Sequence, residues 1–394
     1  MGSDVPKYAR IKADIIEKLG ASIAADKIRP GDKILSETDI IMDYGVSPNT
    51  AKRVLNDLVH EGKIYRVRGR GSFLADWQAN GNDATDRPKT IGLIVPGVTF
   101  SFFAEIAYGC ERVARERGYT VTLCNSMDVE KEAEYLQRCC EAPVDGIIIC
   151  VAGVVTEGGV GHPAATFKIS NRELLTQVSS RIPTVVLDQF IDGIDASFVF
   201  NDDAAGAVEA VQHLLDIGRR KVVHLAGPLG HAGSDARLEG YRRALRGAGL
   251  EMDESMVKRG DYFERFGYEH LNALLAEKKD FDAVFACDDK VATGAYTALL
   301  EHGFRVPEDV AIVGFANETE PLIRGLRFTT VDQQAERAGA EAMELLDYRI
   351  NRRSRVPHSV VKMVPTRLVI RESTIGAPSG VRTAAAVQEP LAVG

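Results

Sequence analysis

The stretch GVSPNTAKRVLNDLVHEGKIYRVRGRGSF, residues 45–73, predicts a short helix followed by a basic two-stranded ribbon. Ser47 can cap the helix, and Pro48 suits its first position, where a missing N–H costs nothing. Apolar side chains recur on one face at helical spacing; they are Ala51, Val54, Leu55 and Leu58. Polar and cationic side chains occupy the other face; they are Asn49, Lys52, Arg53 and Asn56.

The ribbon that follows is cationic, with no acidic residue among its basic ones; these are Lys63, Arg66, Arg68 and Arg70. Gly69 and Gly71 allow a tight turn whose backbone can come close to a bound molecule. Such a helix can enter the major groove of DNA while the ribbon lies along phosphates. The alternative for this stretch alone is a solvated amphipathic helix beside an ordinary hairpin.

Length and charge distribution indicate a small nucleic-acid module on a larger acidic body. The chain has 394 residues, enough for two or three domains, and 45% of them are hydrophobic. Its formal net charge of −8 argues against general polyanion binding. Residues 1–75, however, hold 13 Lys and Arg against 10 Asp and Glu. A basic head on an acidic body fits a chain that binds nucleic acid through one part only.

The six cysteines show no metal-ligand spacing, and most lie in apolar runs, as buried thiols do in a reducing compartment. The sequence shows no signal peptide and no apolar run near 18 residues. We therefore expect a cytoplasmic protein without metal or cofactor.

The elements of the first 75 residues predict a winged helix-turn-helix. Residues 7–24 form an amphipathic pattern. Residues 36–39, SETD, are typical of a capping box that opens a second helix, which Gly45 ends. The helix from Ser47 and the basic ribbon follow.

Three segments of this region, PKYARIKADIIEKL, IRPGDKILSETDI and YGVSPNTAKRVLNDLVHEGKIYRVRGRGSFLA, resemble the GntR-type DNA-binding domain in the correct order. The resemblance implies DNA contacts from the first two helices, the helix from Ser47 and the ribbon. The residues assigned to DNA contact are Lys7, Tyr8, Glu37, Ser47, Asn49, Thr50, Lys52, Arg53, Arg66, Arg68, Gly69 and Arg70.

The head departs from the family pattern at Thr38, Pro48 and Lys52, where the family usually has arginine. Lysine cannot make the two-pronged contact with guanine that arginine makes, and proline donates no hydrogen bond. A different base preference is therefore expected, with Asn49 and Arg53 as substitute readers.

From Thr90 onward, apolar runs of four to eight residues alternate with helical patterns, which predicts parallel sheets covered on both faces. Two such lobes follow one another. We predict four regions: a winged helix-turn-helix over 1–75, a polar linker over 76–89, a two-lobed effector-binding and dimerisation domain over 90–372, and a disordered tail over 373–394. The Gly-rich stretch 153–167 contains no GK[ST] and is interpreted as a surface insertion.

The body resembles the LacI-type effector domain, which is related to sugar-binding periplasmic proteins, over about residues 90–371. The matching segments include IGLIVPGVTFSFFAEI, SDARLEGYRRAL, FDAVFACDDKVATGA and VPEDVAIVGF, in order. A GntR-like head on a LacI-like body resembles arabinose-repressor-type regulators. The implied fold class is α/β: a winged helix-turn-helix plus a two-lobed, doubly wound, parallel-sheet domain of the type I periplasmic-binding-protein kind.

Ligands of doubly wound sheets bind beyond the carboxyl ends of the strands, here between the lobes. The resemblance places effector contacts at matched positions; these are Phe100, Phe102, Phe103, Asn125, Asp188, Gln189, Phe200, Arg237, Tyr262, Asp288, Asn317 and Gln333. Carboxylates, amides and a guanidinium can pair with hydroxyls, while aromatic faces cover the C–H patches of a sugar-like ring.

Each of these side chains has a structural alternative. Asp288 can cap the following helix, Arg237 can form a structural ion pair, and the phenylalanines can belong to the core. Sugar-responsive relatives usually have aspartate where Ala316 stands, and an Asn-Asp pair at 288–289, which is Asp-Asp here. Either the carboxylate has moved across the cleft or the ligand is not a sugar.

No catalytic fingerprint is present: GxSxG, HExxH, Walker and Rossmann patterns are all absent from the sequence. We predict a non-enzymatic, homodimeric transcription regulator of carbohydrate genes, a repressor whose binding to double-stranded operator DNA responds to a sugar or sugar derivative. The alternatives are a sensor of a non-sugar molecule and a ligand-binding protein without DNA activity.

Overall fold

The computed structural model describes residues 7–25, 27–29, 31–60, 63–67, 71–74, 89–141, 144–155, 165–318, 326–351 and 359–375. The chain divides into two compact units, Met1–Arg87 and Pro88–Gly394, hereafter the head and the body. Each is described by itself.

The head contains three helices and one antiparallel pair of strands. The elements are α1 (Lys7–Ala24), α2 (Glu37–Tyr44), α3 (Pro48–His60), β1 (Ile64–Val67) and β2 (Gly71–Leu74). In register, Ile64 pairs with Leu74 and Val67 pairs with Gly71. This order confirms the winged helix-turn-helix prediction.

Local chemistry accounts for the helix ends in the head. The Ser36 hydroxyl accepts from the Asp39 amide while the Asp39 carboxylate accepts from the Ser36 amide, which is the predicted capping box. Gly45 ends α2 in the left-handed conformation, with φ of 56°. The Ser47 hydroxyl accepts from the Thr50 amide at the start of α3. The four apolar α3 residues of the predicted core face are all fully buried.

The body alternates strands and helices through its first part. Its elements up to the first change of lobe are β3 (Lys89–Val95), α4 (Ser101–Glu116), β4 (Tyr119–Asn125), α5 (Val129–Glu141), β5 (Gly146–Cys150), β6 (Gly153–Val155), β7 (Phe167–Ile169), α6 (Arg172–Ser179), β8 (Thr184–Leu187) and β9 (Ala196–Asn201).

The chain then forms a second lobe, and α11 and β15 afterwards belong to the first lobe again. The remaining elements are α7 (Asp203–Asp216), β10 (Val222–Ala226), α8 (Ala232–Gly247), β11 (Val257–Arg259), α9 (Glu264–Ala276), β12 (Ala283–Ala286), α10 (Asp289–Glu301), β13 (Ala311–Phe315), β14 (Thr329–Asp332), α11 (Ala335–Asn351), β15 (Val361–Val364), β16 (Arg367–Val369) and α12 (Glu372–Ile375).

Each lobe is built on a six-stranded sheet. The first-lobe order is β15-β9-β8-β5-β3-β4, with every neighbouring pair parallel. The second-lobe order is β11-β10-β12-β13-β14-β16, parallel except for the last pair. Helices α4 and α11 cover one face of the first sheet and α5 and α6 the other, whereas α9 with α10 and α7 with α8 cover the second sheet. This arrangement confirms the predicted α/β class with two doubly wound lobes.

The lobes are joined where the chain crosses between them, after β9, β14 and β15. These crossings are bonded to one another. The Asn201 amide donates to the Gln333 carbonyl oxygen, and the Asp202 amide donates to the Val364 carbonyl oxygen at 2.8 Å. The Thr366 hydroxyl donates to the Asp202 carbonyl oxygen at 3.1 Å. The three crossings therefore form one bonded unit at the base of the cleft.

Three sequence-based boundaries need correction or restriction. The 153–167 insertion is not wholly irregular, because β6 and β7 pair antiparallel at its ends; residues 156–164 lie outside the described residues. Residues 373–375 are not part of a disordered tail, since they belong to α12 and the buried Ser373 hydroxyl donates to the Ile312 carbonyl oxygen at 2.6 Å; residues 376–394 lie outside the described residues. Of the proposed linker, 76–88 lie outside the described residues, and Lys89 already pairs with Tyr119 in β3.

Within the described part of the chain, no helix combines the length and apolar character needed to cross a membrane. The longest one that is described, α1, is amphipathic and buries only one stripe.

Helices α4 and α11 approach closely because each presents a glycine to the other. A Cβ at Gly109 would lie 1.9 Å from the Glu336 carbonyl oxygen, and one at Gly339 would lie 2.1 Å from the Ile106 carbonyl oxygen. Backbone atoms inside packed helices cannot move without a large cost in packing energy. A side chain at either position therefore requires the helix pair to separate.

We predict that Gly109→Ala destabilises the body by about 1–3 kcal/mol, because the added methyl overpacks the α4–α11 contact. Gly247→Ala is the matched control: it lies in α8, where an added Cβ would meet nothing within 4 Å, so alanine should be neutral or slightly stabilising there. Thermal denaturation measures both. Equal melting temperatures for the two variants would contradict this packing.

Candidate functional site

The α3 surface of the head carries the side chains that were assigned to DNA contact. Asn49, Lys52 and Arg53 are exposed on the face opposite the buried apolar stripe. Ser47 is exposed, whereas Thr50 is half-buried and its hydroxyl lies 3.0 Å from that of Ser47. The geometry of α3 therefore leaves Asn49, Lys52 and Arg53, together with Asn56 on the same face, exposed to a partner.

Arg53 and Tyr8 are brought together, which the sequence did not indicate. The Arg53 guanidinium carbon lies 3.9 Å from the centre of the Tyr8 ring. This stacking holds the guanidinium over α1. Because the group is already oriented, less side-chain entropy is lost when its N–H groups form hydrogen bonds. Glu37, by contrast, is half-buried in the first turn of α2.

Several assigned DNA residues cannot be placed fully. Arg68, Gly69 and Arg70 lie outside the described residues, as do the side chains of Lys7 and Arg66. Their assignment remains a prediction.

A cavity of about 540 Å³ lies between the two lobes of the body, a size within the usual range for small-molecule sites. Its walls come from residues just beyond the carboxyl ends of strands in both sheets, such as Pro96 after β3, Asp188 after β8 and Asp288 after β12. The position agrees with the general rule for ligand sites in doubly wound sheets.

Nine of the twelve predicted effector residues line this cavity; they are Phe100, Phe102, Phe103, Asp188, Gln189, Arg237, Tyr262, Asp288 and Gln333. The structural alternatives also hold for some of them. Phe102 and Phe103 pack on the first-lobe core, and the Asp288 carboxylate accepts from the Lys290 amide as the cap of α10. These side chains therefore combine a structural role with a place in the cavity wall.

Asn125, Phe200 and Asn317 do not line the cavity, so their placement there was wrong. Asn125 ends the edge strand β4. The Phe200 ring stacks on Phe198, at 6.2 Å, in the core under α5 and α6. The Asn317 side-chain oxygen accepts from the Arg371 guanidinium at 2.6 Å, which turns it away from the cavity.

The cavity also contains polar residues that were not predicted from the sequence; they are Asp128, His231, Asp261, Arg265 and Glu318. Most follow strand ends, which was the available signal. His231 is the N-cap residue of α8. Asp261 follows β11, a three-residue strand too short to show periodicity in the sequence.

Arg237 is held by a buried network at the cavity wall. Its guanidinium donates twice to Asp203, at 3.1 and 2.8 Å, and once to the Cys287 carbonyl oxygen, at 2.6 Å. The Gln333 amide donates to the other Asp203 oxygen at 3.0 Å. Because Arg237 and Asp203 are both nearly inaccessible, removing either would leave an uncompensated buried charge.

Asp188 faces His231 across the cleft, with 3.5 Å between its carboxylate and the imidazole Nε2. The Tyr262 hydroxyl lies 3.1 Å from the imidazole Nδ1. Burial lowers the pKa of His231 to about 4, and Arg237 acts in the same direction, so the imidazole is neutral near pH 7. Burial raises the pKa of Asp188 to about 6, opposed by Arg237.

Asp188 is also unusual in its backbone, with φ of 62°, a conformation that non-glycine residues rarely adopt. Asp288 has its pKa raised to about 7, chiefly by burial and then by the nearby Glu318 carboxylate. The cavity therefore holds two carboxyl groups that charge incompletely near neutral pH when no ligand is bound.

Direct contacts join the lobes around the cavity. The Phe167 amide donates to the Leu229 carbonyl oxygen at 2.8 Å, and the Leu229 amide donates to the Ala165 carbonyl oxygen at 2.7 Å. The Ala232 amide donates to the Gln189 side-chain oxygen at 3.1 Å. These bonds hold the cleft in a closed arrangement.

Both the head and the body match known protein families. The family of bacterial regulatory proteins called gntR matches residues 11–74, and the periplasmic binding protein-like domain matches residues 211–374. The HTH-type transcriptional repressor PurR of Pasteurella multocida (strain Pm70) is 33% identical over 286 residues, covering 72% of this chain and 81% of PurR.

Catabolite control protein A of Priestia megaterium is 31% identical over 338 residues, covering 84% of this chain and 91% of that protein. Among solved structures, the transcriptional regulator CelR–cellobiose complex superposes with a TM-score of 0.63 at 27% identity, covering 83% of this chain and 91% of CelR. These relatives are regulators, which confirms that the protein is not an enzyme.

The chain therefore belongs to the family of DNA-binding bacterial transcription regulators with LacI-type effector domains, and it carries a gntR-family head.

Proposed function

We propose that this regulator is a cytoplasmic repressor of carbohydrate-metabolism genes whose affinity for operator DNA changes when a sugar-like ligand fills the cavity. The observation that carries the proposal is the cavity wall, where six aromatic rings accompany carboxylate, amide and guanidinium groups. Aromatic faces suit the C–H surface of a sugar ring, and the polar groups suit its hydroxyls. CelR, which is similar in fold, was solved with cellobiose.

Ligand binding would act through the relative population of open and closed lobes. Both lobes contribute walls, so a bound ligand stabilises the closed arrangement over an open one. A 100-fold change in operator affinity needs a coupling free energy of only about 2.7 kcal/mol. A few hydrogen bonds that form only in the closed cleft are sufficient for this.

The DNA-binding form is proposed to be a homodimer. Two copies would place their α3 helices in major grooves at half-sites one helical turn apart, or a multiple of it, on a near-palindromic operator. The exposed Asn49, Lys52 and Arg53 are the proposed groove contacts, with the ribbon arginines on phosphates.

We predict that Lys52→Ala weakens binding to duplex fragments from the region beside the protein's own gene, and reduces the salt slope by about 1. Fluorescence anisotropy at several ionic strengths measures both quantities. Lys18→Gln is the control, because the Lys18 ammonium already pairs with Asp14 at 2.8 Å. An unchanged affinity and slope in Lys52→Ala would exclude this residue from the interface.

We predict that Asp188→Asn abolishes or strongly reduces the response to a ligand, because losing a charge-assisted hydrogen bond costs about 1.5–3 kcal/mol. Asparagine tolerates the left-handed backbone of position 188, so the fold should survive. The measurement is the melting-temperature shift with a panel of pentoses, hexoses and cellobiose. Asp216→Asn, an exposed change in α7, is the control and should respond as the wild type does.

A full thermal response in Asp188→Asn to a sugar that the wild type binds would remove Asp188 from the site. Failure of the wild-type protein to bind any duplex from beside its gene, with or without panel sugars, would remove the proposed function.

A further inference from the structure

The cavity has an unusual balance of charge. Five carboxyl groups line it, from Asp128, Asp188, Asp261, Asp288 and Glu318, against two guanidinium groups, from Arg237 and Arg265, and the Lys290 ammonium lies beside Glu318. Arg237 already has a buried carboxylate partner in Asp203, which lies behind the wall. His231 is neutral near pH 7, so it adds no positive charge.

The carboxylates come from both lobes. Asp128 and Asp188 belong to the first lobe, beyond β4 and β8, while Asp261, Asp288 and Glu318 belong to the second. A ligand in the closed cleft would therefore meet acidic groups on both sides. A cationic group between them gains Coulomb energy that is screened less in a buried site than at the surface.

Two of these groups lie close enough to repel each other, although the Lys290 ammonium lies 3.8 Å from a Glu318 carboxylate oxygen. Asp288 and Glu318 are near neighbours on the second lobe, and the Glu318 side chain is only 4% exposed. Burial raises the pKa of Asp288, and the neighbouring Glu318 carboxylate raises it further. A ligand cation would reduce both the repulsion between the two groups and the cost of burying their charge.

A lysine beside the cavity shows how two of the lining residues accommodate an ammonium. The Lys290 Nζ lies 3.8 Å from the centre of the Phe100 ring and 3.8 Å from a Glu318 carboxylate oxygen. An aromatic face with a nearby carboxylate is a favourable environment for an amine. A second carboxyl group of the cavity also lies next to aromatic residues, because Asp261 is followed in the sequence by Tyr262 and Phe263, and all three line the cavity.

We propose that the effector carries a protonated amine on a small hydroxylated framework, as in an amino sugar, and that the carboxylates of the cavity select it over neutral and anionic analogues. This rests on the proposed function, because it specifies the ligand class of the same cavity. An anionic sugar phosphate or uronate would face the same five carboxylates and be disfavoured.

The test uses the full-length protein and matched probes: glucosamine, galactosamine and mannosamine, each with its neutral parent sugar, its N-acetyl derivative and its 6-phosphate. Isothermal titration calorimetry measures each dissociation constant. We expect at least one amine to bind on the order of tenfold tighter than both its parent and its N-acetyl derivative. The corresponding phosphate should bind more weakly than the amine.

Asp288→Asn tests the source of the preference, because asparagine is also a good helix N-cap and keeps the shape of the side chain. The ratio of amine to parent affinity should shrink in this variant. Glu277→Gln removes the same charge from the exposed end of α9, outside the cavity wall, and should leave the ratio unchanged.

A pH series gives a second readout. Asp288 faces Glu318, Lys290, Asp289 and Arg237, and it must release any bound proton before it can pair with an ammonium. Affinity for the amine should therefore rise from pH 5.5 to pH 7, a range in which the amine of the probe stays largely protonated, and the rise should be smaller in Asp288→Asn.

The outcomes separate the two proposals. If neutral parents bind as tightly as the amines and alter operator affinity, the amine preference is overturned and the proposed function stands. If no panel member binds, the amine preference is also overturned, and operator binding alone then decides whether the protein acts as a repressor.

Discussion

The buried pair of Arg237 and Asp203 is the interaction on which the two-lobed body most depends. Asp203 begins α7 directly after the first crossing between the lobes, and Gln333, which donates to it, follows β14 at the second. Arg237 also reaches the end of β12 through the Cys287 carbonyl oxygen. One guanidinium thus ties the two crossings to the second sheet and forms part of the cavity wall. A charge buried so fully is tolerable because its donors are matched with a carboxylate and a carbonyl.

This network also explains why structural and ligand-binding roles coincide in the cavity. Asp288 caps α10, Phe102 and Phe103 belong to the first-lobe core, and Arg237 is paired from behind. Each side chain is fixed by the fold before a ligand arrives. Such preorganisation reduces the entropy that binding would otherwise lose. The same residues make the lobes sensitive to occupancy, because a ligand touches groups that also determine how the lobes meet.

The unusual feature is the number of carboxylates around a closed cleft. Asp288 and Asp289 stand where sugar-responsive relatives usually have Asn-Asp, while Ala316 replaces a usual aspartate. Ala316 lines the cavity beside Glu318, two residues further along the chain. The second lobe therefore presents carboxyl groups to the cavity at positions 288 and 318. In the proposal of an amine-bearing effector, these are the groups that would pair with the ammonium.

Local signals were sufficient for most of the elements, and the predicted doubly wound topology was sufficient for the position of the cavity. The apolar spacing of α3, the capping box at Ser36 and Gly45 at the end of α2 each act over a few residues, so they are legible in the sequence. Buried apolar runs predicted the parallel strands, and the resemblance to the LacI-type effector domain supplied the nine predicted residues that line the cavity. The sequence did not predict short strands such as β11, or the pairing of β6 with β7. Three residues are too few to show the alternating pattern of a strand.

Which of the strand-end side chains reach the cavity was decided by tertiary structure alone. Asn317 follows β13 in sequence, yet it turns to Arg371, which is 54 residues away. His231 enters the wall because it is the N-cap residue of α8 and because the lobes bring it opposite Asp188. The sequence alone determined the class of fold, the division into a DNA-binding head and a sensing body, and the edge of each sheet where a ligand would bind. The folded chain decided the partners and charge states of the cavity residues, because these arise only where distant segments meet and exclude water.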